Sequence, residues 1–293
     1  GGRVTGFIAK GEDGQYRRFT GRKAVILATG DIGGDPEMLV KYCPLALKPK
    51  KNGYFPAGLN TGDGHKMAYW VGAAMEDPSW ALSLHLISYA MYSFFFLHVN
   101  RLGQRFMNED TWSQAKAIRI LMQPQWGDGD WAFSVFDSKW FEDIKTRVHL
   151  AGGQFTEPLM AEYGQPWDEN NGVKEAIEAY IKKGACLVAD TLDKLGVDLD
   201  YGKRRELLTS IDQPPYYALK FGPAILNVFG GVLTDINMRV LDKNHQPIPG
   251  LYAVGNVAGG LYGVDYPLLL NGTSHSRALV WARQAAAHIA SEG

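Results

Sequence analysis

One stretch near the C-terminal end, Gly250 to Ala287, constrains the fold more than any other. Its apolar residues Leu251 to Val254 predict a short buried strand. Gly255, Gly259, Gly260 and Gly263 follow at once, and glycine at that density lets backbone pass close to a ligand and take positive φ. A second loop, Asp265 to Ser274, leads into a predicted helix. Asn271, Thr273 and Ser274 are its candidate caps, and Ala278, Leu279, Ala282, Ala285, Ala286 and Ile289 its expected inner face. A free helix N-terminus beside a glycine turn suits a carbonyl or phosphate oxygen. A plain strand–turn–helix with no ligand fits the spacing equally well.

Four further motifs occur in order. Ala24 to Gly34 reads AVILATGDIGG, Asn60 to Gly64 reads NTGDG, Asn100 to Asp110 reads NRLGQRFMNED, and Gly230 to Asp235 reads GGVLTD; the series closes on IPGLYAVGN. The ordered set resembles the fumarate reductase/succinate dehydrogenase flavoprotein superfamily, which includes the 3-ketosteroid dehydrogenases and many soluble FAD-dependent reductases. The resemblance runs from Lys23 to the end and is weakest in the middle third. It implies an α/β fold, a Rossmann-like FAD-binding domain with an inserted α+β cap, and FAD as cofactor. Members open with GxGxxG, which holds the FAD pyrophosphate, and this sequence has no such motif. The chain is therefore expected to be the C-terminal part of a larger flavoprotein, or a subunit completed by another chain.

Composition narrows the partners. A net charge of -1 gives no electrostatic case for nucleic acid or an anionic membrane. Cys43 and Cys186 stand alone and far apart, which leaves no CxxC or cysteine cluster for a metal and suggests small core residues. The longest apolar stretch, Ile87 to Val99, is too short to span a bilayer. No targeting segment is legible, so the compartment stays open. Size allows two domains, and the resemblance divides them as 1–79 (FAD-binding domain, first part), 80–212 (cap) and 213–293 (FAD-binding domain, second part).

Local patterns fill in the frame. Arg3 to Lys10 and Gln15 to Phe19 alternate like strands joined by a tight turn. Asp35-Pro36 marks a helix start, ended by Cys43-Pro44. Met67, Ala68, Val71, Ala74 and Met75 predict an amphipathic helix after Gly64. Trp131 to Phe136 reads as a strand and Leu187 to Leu195 as a helix. Arg105 and Glu109 are expected to pair and brace the cap.

The resemblance also implies residue roles. Ala28, Thr29 and Gly30 would lie near the ADP part of FAD. Asp63 would lie against the cofactor, although capping its helix is a sufficient role. Gly255 and Asn256 match the pair that meets the ribityl–phosphate region. Gly272, Thr273, Ser274 and His275 match the start of the last helix, whose amides would face the flavin C2 carbonyl. For substrate, His85 stands near a substrate histidine position, with a structural role the plainer alternative, and Tyr216 and Tyr217 would line the cavity. The fumarate reductase branch clamps carboxylates with His and Arg and uses an Arg as acid. Tyr266, Asn227 and Ser113 stand at those positions, so a dicarboxylate handled in that manner is not expected. Tyr266-Pro267 instead resembles the YP of 3-ketosteroid dehydrogenases, where the hydroxyl polarises a carbonyl or abstracts a proton. A tyrosine does either once its pKa is lowered. Those enzymes continue GPG where this chain has LLLNG, and carry Tyr near Ser113.

The expected function is reduction or desaturation of a C–C bond next to an activating group, by hydride transfer through flavin N5. Tyr266 and Ser113 are the catalytic candidates, with Tyr266 ahead. A small-molecule substrate with an activated C=C bond and an external electron donor are the implied partners, with no metal. Two other readings stay open: a 3-ketosteroid Δ1-dehydrogenase-like enzyme, and a catalytically silent interaction module or partner subunit lacking its own pyrophosphate site.

Overall fold

The structure, a computed structural model, describes residues 2–52, 58–87, 96–123, 131–147, 182, 186–189, 209–267, 270 and 272–292. In chain order it holds β1 (Gly6–Lys10), β2 (Tyr16–Thr20), β3 (Val25–Leu27), α1 (Pro36–Tyr42), β4 (Lys51–Asn52), α2 (Asp63–Trp70), β5 (Ala81–Ile87), β6 (Leu97–Val99), α3 (Ser113–Leu121), β7 (Ala132–Phe136), α4 (Trp140–Arg147), β8 (Cys186–Ala189), β9 (Tyr216–Phe229), β10 (Arg239–Leu241), β11 (Pro247–Ala253) and α5 (Thr273–Ser291). Short 3-10 turns lie at Pro44–Leu47 and Gly255–Val257. Contacts divide the chain into one unit of Gly1–Leu47, Asn52–Ser83 and Ile225–Gly293 and a second of Lys48–Lys51 and Leu84–Ala224.

The first unit is built on a three-stranded sheet in the order β10-β11-β3. β11 runs parallel to β3, with Leu251 opposite Val25 and Ala253 opposite Leu27, and antiparallel to β10. The two-residue period of a strand sends alternate side chains to opposite faces. Leu251 and Ala253 accordingly join Val25, Leu27 and Ala68 of α2 on one face. Tyr252, with Val254 just beyond the strand, meets Ala285 of α5 on the other. Helices thus cover both faces of the parallel pair, the α/β arrangement expected. Each fully buried Leu or Val there contributes about 1.5–3 kcal/mol.

The local signals hold closely in this unit. β1 and β2 form the expected hairpin, Gly6 opposite Thr20 and Lys10 opposite Tyr16, with Phe7 stacked on Phe19. Asp35 caps α1: its Oδ1 accepts the Met38 N–H at 3.0 Å, and Pro36 fills the first helical position. Cys43 ends the helix and is fully buried. Burial pushes its thiol up to about 11, which suits a small core residue rather than a reactive one. α2 stops at Trp70, short of the expected Met75, because Gly72 turns the chain at φ 96. Ala73 and Met75 bridge to Asp242 and Val232 instead.

The second unit rests on the antiparallel pairs β6–β7, β7–β9 and β8–β9. Leu97, Val99, Val135 and Ala218 form a buried cluster there. The Arg105–Glu109 pair forms as expected: Arg105 Nε and Nη2 donate to the two carboxylate oxygens at 2.8 and 2.6 Å. Glu109 Oε1 also accepts the His98 N–H at 3.1 Å, which ties the pair to β6. The helix expected from Leu187 is not seen; Cys186–Ala189 is strand β8, and the remainder lies outside the described residues. Cys186 pairs with Leu219 and Val188 with Tyr217, so sheet pairing overrode a weak helical pattern.

Candidate functional site

The carboxyl ends of β3 and β11 lie side by side, joined where the Val254 N–H donates to Leu27 O at 2.9 Å. In an open α/β sheet this is the edge where ligands bind. Past β3 come Ala28, Thr29 and Gly30. Gly30 has φ 77, and a Cβ on it would lie 2.9 Å from Asn60 Oδ1. Gly64 sits so tightly on Thr29 that a Cβ would lie 2.0 Å from its Oγ1. The turn at 28–30 and the loop at 60–64, far apart in sequence, therefore meet. Asp63 is exposed, and its Oδ1 accepts the Thr61 hydroxyl at 3.1 Å. It does not cap α2: the cap position is Gly62, in the left-handed region, and Asp63 is the first helical residue. Its charge there complements the helix dipole. Sequence reasoning gave Asp31 no role, yet it is buried and accepts the Gly33 N–H at 3.1 Å and the Val228 N–H at 2.9 Å. The two residues separating Gly30 from Gly33 were its only signal.

Past β11, Gly255 (φ 70) and Asn256 open a 3-10 turn. Asn256 Oδ1 accepts Arg277 Nη2 at 2.6 Å and the Ser274 hydroxyl at 3.3 Å. Asn256 Nδ2 donates to Asn227 Oδ1 at 3.4 Å. Three expected site residues, Asn227, Asn256 and Ser274, thus share one network. Arg277 was missed, although a lone cation just past the predicted helix start was visible.

The start of α5 departs from expectation. Its cap position is Gly272, at φ 79, and no side chain caps the first N–H groups. Thr273 Oγ1 is buried without a partner, and Ser274 turns to Asn256. Asn271 lies outside the described residues, and His275 is exposed. The buried side of the helix is Arg277 and Ala285, with Trp281 and Ile289 partly buried. Leu279, expected inside, is 74% exposed. The expected face joined two neighbouring stripes, and the four-residue step from 277 selects the buried one.

Tyr266 is half-buried and stacks on Phe229, centroids 5.1 Å apart and planes at 18°. Tyr262 tilts against both rings, and its hydroxyl is buried without a partner. The Arg277 guanidinium lies 5.0 Å from the Tyr262 and Trp281 ring centres and 5.6 Å from that of Phe229. Burial pulls the Arg277 pKa down, partly offset by the charges of Tyr262, Glu76 and Tyr266 nearby. Burial pushes Glu76 upward, against its hydrogen bonds from the Gly260 and Gly231 N–H groups.

The remaining candidates belong to the second unit. Ser113 is the buried first residue of α3. Tyr216 is buried, and Tyr217 stacks on Phe136 at 5.4 Å; the two stand in β9 with their partners in β8 and β7. His85 lies in β5, and its side chain is outside the described residues. Among the described residues no group of His, Cys, Asp and Glu could hold a metal ion, and no helix is long and apolar enough to cross a membrane.

The family model described as FAD binding domain matches residues 1–272. A probable fumarate reductase of Shewanella frigidimarina is 30% identical over 279 residues, covering 89% of this chain and 43% of that protein. A 3-oxosteroid 1-dehydrogenase of Mycolicibacterium smegmatis is 28% identical over 311 residues, covering 91% of this chain and 53% of the other. The open conformation of a flavocytochrome c3 fumarate reductase is similar with a TM-score of 0.65 and 27% identity, covering 99% of this chain and 50% of that one. The chain spans about half the length of these relatives.

The residues present fit a flavin. The first N–H groups of a 19-residue helix have no side-chain cap. The Thr273 hydroxyl beside them has no partner. A Cβ at Gly260, Gly263 or Gly272 would meet nothing within 4 Å. The Thr273 N–H reaches Leu270 O at 3.4 Å, and uncapped donors past an exposed Gly272 are what an electron-rich ring carbonyl needs.

Proposed function

Because the chain belongs to the FAD binding domain family, within the fumarate reductase/succinate dehydrogenase flavoprotein superfamily, we propose that it works as an FAD-dependent oxidoreductase that reduces or desaturates a C–C bond next to an activating group. The isoalloxazine ring, when bound, supplies the hydride chemistry. The chain's own residues supply binding, orientation and a proton. Gly255, Asn256 and the open start of α5 hold the cofactor's polar atoms, while Ala28, Thr29, Gly30 and Asp63 form the facing edge. Tyr266 handles the proton at the substrate's activating group through its hydroxyl.

The observation that carries this reading is the placement of Tyr266. Stacking on Phe229 fixes its ring, and its phenol lies within electrostatic reach of Arg277, whose hydrogen bond holds Asn256. One cluster therefore joins the residue proposed to handle the proton to the residue proposed to meet the cofactor, which supports this reading. Tyr266, Asn227 and Ser113 stand where the fumarate branch carries its carboxylate-handling residues. We therefore favour a substrate activated by a ketone or other neutral acceptor over a dicarboxylate.

The test uses protein from the complete reading frame. A visible spectrum should show flavin bands. After anaerobic reduction, α,β-unsaturated ketones, including a 3-keto-4-ene steroid, should reoxidise the flavin faster than fumarate does. Absence of flavin would move the silent interaction module into first place. Reoxidation by fumarate alone would reverse the substrate assignment.

A further inference from the structure

Arg277 is a buried cation whose charge is only partly offset, by the Glu76 carboxylate nearby. Its residue is 4% exposed. Nη2 donates to Asn256 Oδ1 at 2.6 Å and Nη1 to Ala258 O at 3.4 Å, and Nε has no partner. Among the described residues it makes no ion pair, and three aromatic rings wall it in. It also sits four residues into α5, just over one turn from the positive end of the helix dipole. An unpaired buried charge is costly, and this placement adds to the cost.

Two consequences follow from the geometry. A guanidinium has donors only, so the Asn256 amide must turn its oxygen toward Arg277; the Ser274 hydroxyl reaches the same oxygen. The Asn256 NH2 therefore points the other way. One of its hydrogens serves Asn227 and the second is left to donate. The guanidinium charge, only partly offset by Glu76, the uncapped helix start and the Asn256 N–H all favour negative charge in one region.

We propose that Arg277 is a positioning residue that sets the polarity of the flavin site: it locks Asn256 as a donor and biases bound FAD toward its reduced, negatively charged form. This rests on the FAD reading above and goes beyond it by naming what sets the potential.

The test is the flavin midpoint potential, by dye equilibration on the holoprotein from the complete reading frame. Arg277→Gln keeps a donor for Asn256 and removes the charge. It should lower the reduced-to-oxidised ratio at a fixed dye potential about tenfold, a shift of about 30 mV to the negative for a two-electron couple. Arg277→Lys should restore most of it. Asn256→Asp, which gives Arg277 a counter-ion and removes the free N–H, should shift the potential the same way and serves if Arg277→Gln does not fold. A wild type without flavin overturns both the FAD reading and this assignment. A wild type with flavin whose variants keep the same potential overturns the role of Arg277 alone.

Discussion

His65 offers the sharpest test of how the first unit is held together. It lies in the first turn of α2, 1% exposed, tilted against Trp80 at 5.6 Å. Nε2 reaches Gly230 O at 3.4 Å, and Nδ1 has no partner. Among the described residues no ion pair balances a positive charge there, and burial, opposed by the Gly230 contact, lowers its pKa from 6.5 to about 4. The unfolded chain takes up this proton as the pH falls through 6.5, whereas the folded chain refuses it until about 4. The stability is whole above 6.5 and is lost as the pH falls toward 4. At 1.36 kcal/mol per pH unit the full loss is about 3.4 kcal/mol, of which about 2 kcal/mol is gone by pH 5. Urea unfolding of wild type and His65→Leu at pH 7.5 and 5 reads this directly, since groups titrating alike in both cancel in the difference. Wild type should lose about 2 kcal/mol more than the variant between those pH values. Parallel pH dependence in the two proteins would refute the claim that His65 is held neutral by burial.

Other perturbations probe separate parts of the molecule. Glu109→Gln leaves the Arg105 guanidinium buried without its carboxylate and should cost about 3–5 kcal/mol in chemical denaturation, while Arg105→Met with Glu109→Leu should recover most of it. Gly64→Ala drives a Cβ to 2.0 Å from Thr29 Oγ1 and should cost about 1–3 kcal/mol; adding Thr29→Ala should relieve much of it, and a thermal melt of the three proteins checks both. Tyr266→Phe keeps the stack on Phe229 and should leave flavin content unchanged while slowing the substrate half-reaction about 10²–10⁴-fold, measured by stopped-flow reoxidation. An equal rate in the variant would remove Tyr266 from proton handling.

Much of the first unit was legible because its signals are local. Asp35-Pro36, Cys43-Pro44 and the alternation around residues 6–20 each set an element through neighbours in sequence, and α1 and the β1–β2 hairpin followed. The candidate site was legible as separate motifs that the fold then joined, with Asn227, Asn256 and Ser274 meeting across 47 positions of chain. The rest depended on tertiary context. Gly72 shortened α2, because one residue at positive φ outweighed a helical pattern running on to Met75. Strand β8 took Leu187 from an expected helix because β9 offered hydrogen-bond partners. The inner face of α5 was misread because Leu279 is apolar and Arg277 is not. Hydropathy alone turns an arginine outward, whereas the Asn256 and Ala258 oxygens and three facing rings draw this one in.

The three features that break local rules in the first unit gather at one place. A long helix starts on Gly272 without a side-chain cap, although Thr273 and Ser274 are residues that cap well; glycine at the cap position costs a few tenths of a kcal/mol. A threonine hydroxyl is buried with nothing to bond. A guanidinium is buried without an ion pair among the described residues, its charge only partly offset by Glu76, one turn from the wrong end of the helix dipole. The first two are small local costs and the third is a larger one. Together they point the same way electrically, all being donors or positive charge. Errors of folding would be scattered in sign and position. A set that shares both is the signature of a site made for an electron-rich partner, since natural sequences depart from local consistency chiefly where function requires it. Satisfying Arg277, Thr273 and the α5 amides within the chain would gain stability and, on the role proposed for Arg277, forfeit the bias toward a reduced flavin.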